Sequence, residues 1–308
     1  MHVTDIKAQT HEIATIVEQP VRFIDLFAGI GGFHLAFHQL GAECVFAAEW
    51  NEYARKTYEH NFVPLSPTLF KTGNFARDIT TVAPKSIPDF DVLCAGFPCQ
   101  PFSQAGFKKG FQETRGTLFF NIASIIEAKQ PKAFFLENVR HFLKHDDGKT
   151  YITAKRILKD LGYSFHAKVV KASDHGLPQL RPRLFMVSFK DRHDFEFPEA
   201  TQPTMTMSDI FGGQCHRDID YTLRVGGRSS GLHDRRNWDT YLVDGEVKRL
   251  GPFEGAKMQG FPESFEFPVS ETQAMKQLGN SVAVPAIKAT AEQIINAIKG
   301  QYGNSKGI

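Results

Sequence analysis

Cys99 has the sequence context of a nucleophile. It lies in Gly96-Phe97-Pro98-Cys99-Gln100-Pro101-Phe102-Ser103, directly after the short apolar run 91–95. A thiol between rigid residues at the end of a strand, where α/β sheets bind ligands, is well placed to attack a substrate. The alternative for any single cysteine is a small buried apolar side chain. That is the prediction for Cys44 and Cys94, which lie inside apolar runs, whereas Cys215 stands beside polar residues in a predicted loop.

A carboxyl group follows another apolar run, and a pair of arginines stands at the start of a further one. Glu137 comes directly after the run 133–136, and partial burial would raise its pKa, so that it could donate a proton near neutrality. Glu137-Asn138 could equally be a helix N-cap pair with a solvated glutamate. Arg181 and Arg183 are two apart on a predicted extended segment, which places them on one face, where they could grip phosphate or carbonyl oxygens. Two ordinary surface arginines are the alternative.

A glycine-rich turn predicts a site for a nucleoside-containing cofactor. Phe27-Ala28-Gly29-Ile30-Gly31-Gly32 lies between a strand and a helix, and Glu49 ends the next strand about 20 residues on. Glycines allow close approach to a ligand, and an acidic residue there suits ribose hydroxyls. The pattern is not that of a dinucleotide site, because His34 holds the third glycine position, nor of a P-loop, because no Gly-Lys-Ser/Thr follows. A purely structural glycine turn is the alternative.

Two weaker segments could also meet a ligand. Gly279-Asn280-Ser281-Val282 is a polar turn before a helix, which could cap that helix or close over a ligand. The run 224–238 is a local basic loop that suits phosphates and guanine edges, although it could also be a solvated loop. Its arginines and their polar and aromatic neighbours are Arg224, Arg228, Arg235, Arg236, Asn237 and Trp238.

The elements that must position these residues alternate between strand and helix. Apolar strands are predicted near 21–27, 44–48, 91–95, 133–136, 164–171 and 183–189, and helices over 31–40, 51–60, 118–128, 150–161, 271–278 and 286–299. Continuous apolar strands between amphipathic helices indicate an α/β fold with a mostly parallel sheet covered by helices on both faces. Ligands of such sheets bind beyond the carboxyl ends of the strands.

The chain divides into three predicted parts. Residues 1–190 form the large domain, after a leader over 1–20 that could hold one short helix. Residues 191–270 are rich in turn formers and are predicted to form a smaller, irregular, β-rich domain. Residues 271–308 contain the last helices, which return to the large domain.

Composition excludes several classes of protein. The chain has 308 residues, ordinary apolar and charged fractions and a net charge of only +2, so any nucleic-acid contact must come from a local surface. Four cysteines without a Cys-x-x-Cys pair predict neither a disulfide scaffold nor a structural zinc site, and no metal site is expected. The N-terminal stretch lacks a signal-peptide core and no long apolar run occurs. These features predict a reduced, intracellular enzyme or binding protein.

Taken together, the segments resemble the cytosine-C5 DNA methyltransferases, especially those of bacterial restriction–modification systems. The resemblance covers nearly the whole chain in the family's order. It extends to Arg77-Asp78-Ile79, Arg115-Gly116-Thr117-Leu118, Arg249-Leu250, Glu254 and Gln259-Gly260-Phe261-Pro262. One departure is Phe253, which precedes Glu254 where the family commonly has arginine.

The resemblance implies a Rossmann-like fold that binds S-adenosylmethionine and releases S-adenosylhomocysteine. It assigns cofactor contacts to Phe27, Gly29, Gly31, Gly32, Glu49, Trp50, Asp78, Ile79, Pro98, Leu118, Asn280, Ser281 and Val282. It makes 191–270 the target-recognition domain. DNA contacts are implied for Gln100, Ser103, Arg224, Arg228, Arg235 and Arg236.

The resemblance also implies a reaction. Cys99 would attack C6 of a cytosine flipped out of a short specific duplex sequence, and Glu137 would hold or protonate the N3 edge. Arg183 would contact the cytosine carbonyl, and Arg181 would support the loop and the DNA backbone. Residues 97–116 would close as a lid.

The cellular setting follows from the same family. The implied role is protection of host DNA from a cognate restriction endonuclease, by a monomer at the nucleoid in a bacterial cytoplasm. The arginines suit guanine, so a short GC-containing target is the expectation.

Three other functions remain open at this stage. An RNA cytosine-C5 methyltransferase would use the same chemistry, although the arginine-rich recognition loop favours DNA. A catalytically silent DNA-binding protein would not need the full set of Cys99, Glu137, Arg181 and Arg183. A nicotinamide oxidoreductase is disfavoured by His34 and by the Pro-Cys loop.

Overall fold

The computed structural model describes residues 19–98, 118–191, 194–225, 231–233 and 237–300. Several predicted features lie outside these residues: the leader helix before residue 19, the lid except Phe97 and Pro98, Cys99, Gln100, Ser103, Arg228, Arg235 and Arg236.

A seven-stranded sheet forms the centre of the described chain, in the order β3-β2-β1-β4-β5-β7-β6. All of its pairings are parallel except those of β7, which runs antiparallel between β5 and β6. The predicted mostly parallel sheet is therefore confirmed. The strands are β1 (Arg22–Leu26), β2 (Glu43–Ala48), β3 (Phe75–Ala76), β4 (Val92–Gly96), β5 (Ala133–Val139), β6 (His166–Val170) and β7 (Arg183–Phe189).

Helices cover both faces of this sheet because successive strand residues alternate between two apolar layers. Phe23 of β1 belongs to the layer that contains α1 and α9, and the next residue, Ile24, belongs to the layer of α4 and α5. The helices are α1 (Gly32–His38), α2 (Glu52–Phe62), α3 (Pro67–Lys71), α4 (Leu118–Lys129), α5 (Lys149–Asp160), α6 (Met207–Phe211), α7 (Pro252–Gln259), α8 (Glu271–Asn280) and α9 (Val284–Ile298).

The predicted helices and strands are found within a few residues of their expected bounds. Three helices and one strand were not predicted: α3, α6, α7 and β3, which pairs with the end of β2. The strand β5 is also longer than expected and includes Glu137 and Asn138, so the N-cap alternative for this pair is wrong.

A small extra β region is present, as predicted. The strands β8 (Thr240–Val243) and β9 (Glu246–Arg249) form an antiparallel pair. Its apolar side chains, among them Trp238, Tyr241 and Leu223, belong to the same buried cluster as α8 and α9. The small region therefore packs on the sheet domain through a continuous core.

Two negative findings hold for the described residues. None of their helices is long and apolar enough to cross a membrane. No group of three or more histidine, cysteine, aspartate or glutamate side chains among them could hold a metal ion.

Candidate active site

Glu137 and Arg183 meet at the carboxyl edge of the sheet. The Arg183 Nε donates to Glu137 Oε1 at 3.0 Å. The antiparallel direction of β7 makes this contact possible, because Arg183 begins β7 beside Val139, where β5 ends. The parallel neighbour of Glu137 is Gly96, the last residue of β4. The three residues thus lie on neighbouring strands at one edge.

Burial and the neighbouring arginines shift the pKa of Glu137 in opposite directions. The residue is only 8% exposed, and burial raises its pKa above the usual range for a glutamate. The positive charges of Arg183 and, less strongly, Arg181 oppose this rise. A buried carboxyl with a raised pKa can donate a proton to a ligand and then share its charge with Arg183.

Asn138 fixes the chain that leads toward Cys99. Its side-chain amide donates to the Phe97 carbonyl oxygen at 3.0 Å, and its side-chain oxygen accepts from the Val139 amide at 2.8 Å. Phe97 is itself buried against Phe119 and Phe142. The segment before Cys99 therefore starts from a held position beside Glu137.

Arg181 differs from the expectation of an extended, DNA-facing arginine. Its φ is +30°, and the residue is only 1% exposed. Its guanidinium donates to the Leu223 carbonyl at 2.9 Å, to the Gly279 carbonyl at 2.9 Å and to the Ser281 carbonyl. Arg181 therefore joins three chain segments and does not share the solvent-facing surface expected for a contact with the DNA backbone.

Two glutamines extend this buried junction. The Gln179 side chain donates to the Met258 carbonyl and to Gln259 Oε1, the latter at 3.3 Å. Gln259 in turn donates to the Leu278 carbonyl at 2.9 Å. Buried amides that satisfy each other in this way hold the segment 179–183 against α7 and α8.

The glycine-rich turn after β1 needs its glycines for two reasons. Gly29 and Gly31 have φ of +57° and +85°, a region that side chains with a Cβ seldom adopt. A Cβ on Gly31 would lie 2.2 Å from the Phe62 ring, and one on Gly32 would lie 2.5 Å from a Val282 methyl. The turn is therefore a close-packed cradle that ends in the amino terminus of α1.

Glu49 faces this cradle from the end of β2. Its carboxyl accepts the Gly29 amide at 2.8 Å and the Asn51 amide at 2.7 Å. Trp50, beside it, is 79% exposed. Ser281 Oγ, close to Gly32, is buried and has no hydrogen-bond partner among the described residues.

The other predicted cofactor residues surround the same edge. Asp78 lies after β3 and its carboxyl caps the turn Ile79–Thr81 by accepting the Thr80 amide at 2.9 Å. Ile79 is buried, Pro98 is exposed, Leu118 begins α4 and Asn280 ends α8. A turn without side chains, a carboxyl, an exposed indole and an unpaired hydroxyl fit a nucleoside-containing cofactor.

Two polar residues near the cradle belong to the core. His34 bonds Tyr58 Oη at 2.6 Å and Ser66 Oγ at 2.9 Å, and burial, with a smaller contribution from His38, lowers its pKa to about 3. Asp25 is fully buried, which raises its pKa well above the usual range, and the charge of Glu49 adds to the rise. His34 is therefore neutral at physiological pH, and burial favours the neutral form of Asp25.

Comparison with known proteins agrees with this geometry. The family model for C-5 cytosine-specific DNA methylases matches residues 21–226 and 220–296. The chain belongs to this family.

Curated relatives match along nearly their whole length. Type II methyltransferase M.HhaI of Haemophilus parahaemolyticus is 38% identical, over 89% of this chain and 94% of its own. Type II methyltransferase M.HpaII of Haemophilus parainfluenzae is 41% identical, over 91% of this chain and 90% of its own. The chain is therefore a C-5 cytosine-specific DNA methyltransferase of the type found in restriction–modification.

Solved structures share the fold at lower identity. Spodoptera frugiperda DNMT2 has a TM-score of 0.69 at 20% identity, covering 89% of this chain and 99% of its own. A putative DNA modification methyltransferase encoded in an E. coli prophage has a TM-score of 0.67 at 20% identity, over 91% and 99%. These matches confirm the methyltransferase fold.

The sequence predicted that the run 224–238 of the methyltransferase is one basic loop. Its described residues differ in exposure. Arg224 is exposed, but Asn237 and Trp238 are each only 2% exposed. The Asn237 side chain donates to the Thr240 carbonyl at 2.7 Å and accepts the Thr240 amide at 2.9 Å. Asn237 and Trp238 therefore build the small region.

Arg55 is a site residue that the sequence analysis missed. Its guanidinium donates to the Glu49 carbonyl at 3.1 Å and to the Ala76 carbonyl at 2.7 Å, and it lies 3.9 Å from the centre of the Phe75 ring. Arg55 thus ties the segment of Glu49 to the segment before Asp78. A single arginine on a polar helix gives no signal in one sequence, since the partners that matter here are backbone atoms of other segments.

Proposed function

We propose that this enzyme transfers a methyl group from S-adenosylmethionine to C5 of a cytosine flipped out of a short specific duplex sequence, through a covalent Cys99–C6 adduct. The observation that carries the proposal is the meeting of Glu137 and Arg183 at the sheet edge that also presents Glu49 and the glycine cradle. An acid and a nucleoside cofactor site at one edge are what such a transfer needs.

The nucleophile and the acid have complementary tasks. Cytosine C5 is a poor nucleophile until the Cys99 thiolate adds to C6 and turns the ring into an enamine. Glu137 donates its proton to N3, so that negative charge does not build up on the ring. S-adenosylmethionine, when bound, supplies an electrophilic methyl group for C5. Loss of the C5 proton to solvent, expulsion of Cys99 as its thiolate and return of the N3 proton to Glu137 restore the aromatic ring and the enzyme.

Arg183 positions the acid and reads the base. Its Nε holds Glu137 Oε1, and we assign to its guanidinium the contact with the cytosine carbonyl as well. The guanidinium also stabilises the carboxylate that remains after the proton has left Glu137. Arg181 supports this pair from the buried junction without touching the substrate.

The cofactor would be held by groups from three segments. The carboxyl of Glu49 would accept ribose hydroxyls, and the exposed ring of Trp50 would lie against the purine. The glycine cradle, which has no side chains, would leave room for the polar tail. The orphaned Ser281 hydroxyl faces the same cradle, which supports a ligand there.

The base must leave the duplex, because C5 and C6 are otherwise stacked. Flipping costs a few kcal/mol, which contacts in the pocket offset. We propose phosphate and base contacts for Arg224, which is exposed, and for Gln100, Ser103, Arg228, Arg235 and Arg236, whose positions lie outside the described residues.

The relatives' names suggest a biological role. M.HhaI and M.HpaII are both Type II methyltransferases, which supports protection of host DNA from a cognate restriction endonuclease. The enzyme would act as a monomer on the nucleoid, because one chain carries the parts of the proposed site.

Single-base mapping of 5-methylcytosine tests the function. The chain is expressed in a methylation-free bacterial host, beside Cys99→Ala as the matched control. We expect methylation confined to one short motif with the native chain and none with the variant, which should still bind duplex DNA. Methylated DNA from Cys99→Ala would contradict the covalent route. Unmethylated DNA with the native chain would contradict a DNA substrate, and RNA from the same cells would then be mapped.

A further inference from the structure

We propose that the buried junction between Arg181 and Gly279 couples binding of target DNA to binding of the cofactor. The inference rests on the proposed function, since it takes duplex DNA and S-adenosylmethionine as the two ligands. In this arrangement Arg181 is a positioning residue that touches neither ligand.

Arg181 connects the recognition side to the cofactor side through one planar group. One amino group of its guanidinium donates to the Leu223 carbonyl, directly before the exposed Arg224. The other donates to the carbonyls of Gly279 and Ser281, in the turn proposed to close on the cofactor. Because a guanidinium is rigid, its two sides cannot move independently.

Gly279 makes a second, independent contact between the same two segments. A Cβ on this residue would lie 2.6 Å from the Arg224 carbonyl carbon and 2.7 Å from the Val225 amide nitrogen. The turn and the recognition segment therefore touch backbone to backbone. A displacement of Arg224 by DNA must move Gly279 or break this contact.

On its other side, the turn after Gly279 packs against the glycine cradle. The methyl of Val282 and the hydroxyl of Ser281 both lie against Gly32, which begins α1. The contacts thus run from Arg224 through Gly279 and Ser281 to Gly32 without a gap. Close-packed contacts of this kind transmit displacement, because protein interiors have little compressibility.

Coupling between two binding sites is reciprocal. If DNA tightens cofactor binding by some factor, the cofactor must tighten DNA binding by the same factor. The measurement is therefore the dissociation constant of S-adenosylhomocysteine, by titration calorimetry, without DNA and with saturating duplex that carries the motif found by methylation mapping. The reverse titration checks the factor.

Gly279→Ala is the first variant. No positive φ is found at Gly279, so the added methyl costs little conformational strain and acts through the Arg224 backbone. Gly255→Ala is the matched control on the facing helix, where the methyl would meet only side-chain ends, those of Leu278 at 2.9 Å, Leu223 at 3.3 Å and Met275 at 3.8 Å, and no backbone atom. Arg181→Lys is the second variant. Lysine keeps the charge, but its single amine cannot donate to the Leu223 and Gly279 carbonyls at the same time.

We expect DNA to tighten binding of S-adenosylhomocysteine by about tenfold or more in the native enzyme and in Gly255→Ala. In Gly279→Ala or Arg181→Lys the factor should fall to within about twofold of one. If Arg181→Lys does not fold, Gly279→Ala decides alone.

Two results would overturn the inference while leaving the proposed function intact. One is a native enzyme that binds both ligands but whose affinity for S-adenosylhomocysteine is the same with and without DNA. The other is a native factor that survives in both variants, or that is lost equally in Gly255→Ala. A native enzyme that binds neither ligand would contradict the proposed function and the inference together.

Discussion

Glu137 combines burial with a salt bridge, and this combination sets what the residue can do. Burial alone would keep the carboxyl protonated, whereas Arg183 at 3.0 Å favours the carboxylate. The balance leaves the pKa of Glu137 raised, so the protonated form persists to higher pH than in an exposed glutamate. Glu137 can therefore give up one proton, and Arg183 stabilises the carboxylate that remains.

Replacing Glu137 by glutamine should slow methyl transfer by about 10²–10⁴-fold, because an amide cannot protonate N3. Single-turnover rates with the mapped duplex measure this loss, and Glu127→Gln on the exposed side of α4 is the matched control. The sign of the pH dependence follows from the raised pKa: the native rate should decline as pH rises through the pKa of Glu137. A Glu137→Gln enzyme within about twofold of the native rate would remove Glu137 from the chemistry.

Arg55 should matter for the cofactor without touching it. The substitution Arg55→Met removes the hydrogen bonds to the carbonyls of Glu49 and Ala76, each worth about 1 kcal/mol. We expect the dissociation constant of S-adenosylhomocysteine to rise by about tenfold. Titration calorimetry without DNA measures it.

The control for Arg55 is its neighbour Lys56. Lys56→Met loses an exposed pair with Glu52 at 3.7 Å and a contact of its amine with the Tyr53 ring, and should bind the cofactor product as the native enzyme does. Equal affinities of the two variants would mean that the segments of Glu49 and Ala76 hold their positions without Arg55.

At the scale of elements, the entry into α1 decides whether the cofactor cradle forms. Gly31 and Gly41 both have positive φ, of +85° and +77°. Only Gly31 is crowded, since a Cβ there would meet Phe62 at 2.2 Å, whereas nothing lies within 4 Å of a Cβ on Gly41. The pair therefore separates backbone strain from steric overlap.

The alanine variants of these glycines should differ in stability. Gly41→Ala should lower the free energy of unfolding by about 1–2 kcal/mol, because alanine must adopt the left-handed conformation there. Gly31→Ala should lose a further ~1–3 kcal/mol from overpacking against Phe62. Urea unfolding measures both. Equal losses would show that Phe62 moves aside freely and that the cradle is less tightly packed than its contacts indicate.

At the scale of the whole molecule, the small region and the sheet domain are joined by backbone contacts. Leu180 donates its amide to the Asp220 carbonyl at 2.8 Å, and Asp220 donates its amide to the Pro178 carbonyl at 3.0 Å. Main-chain contacts do not depend on the side chains of the small region. The sheet domain can therefore hold small regions of different sequence in one orientation, as the proposed recognition role requires.

Exchanging residues 191–270 for the corresponding region of M.HhaI should give an active enzyme that methylates the donor's target. The reason is that the chemical groups stay in the sheet domain while Arg224 and its neighbours are replaced. Methylation mapping in the same host measures the outcome. A chimera that folds, methylates and keeps the original target would refute the placement of recognition within 191–270.

Much of the fold and part of the site could be predicted from the sequence, because their signals are local. Apolar runs and helical spacing depend on a few neighbouring residues, so the strands and long helices were predicted close to their bounds. The glycine turn and Glu49 were predicted from the same local pattern. The buried role of Arg181 could not be, since its partners Leu223 and Gly279 are far away in the chain.

The sequence by itself determined the order of elements, the family and the residues at the ends of the strands. Only the tertiary structure decided the direction of β7, which brings Arg183 back to Glu137, and the burial of Arg181 between two distant segments. The physical reason is that apolar patterning records which residues leave water, whereas strand direction and the partners of a buried charge depend on atoms brought together from the whole chain.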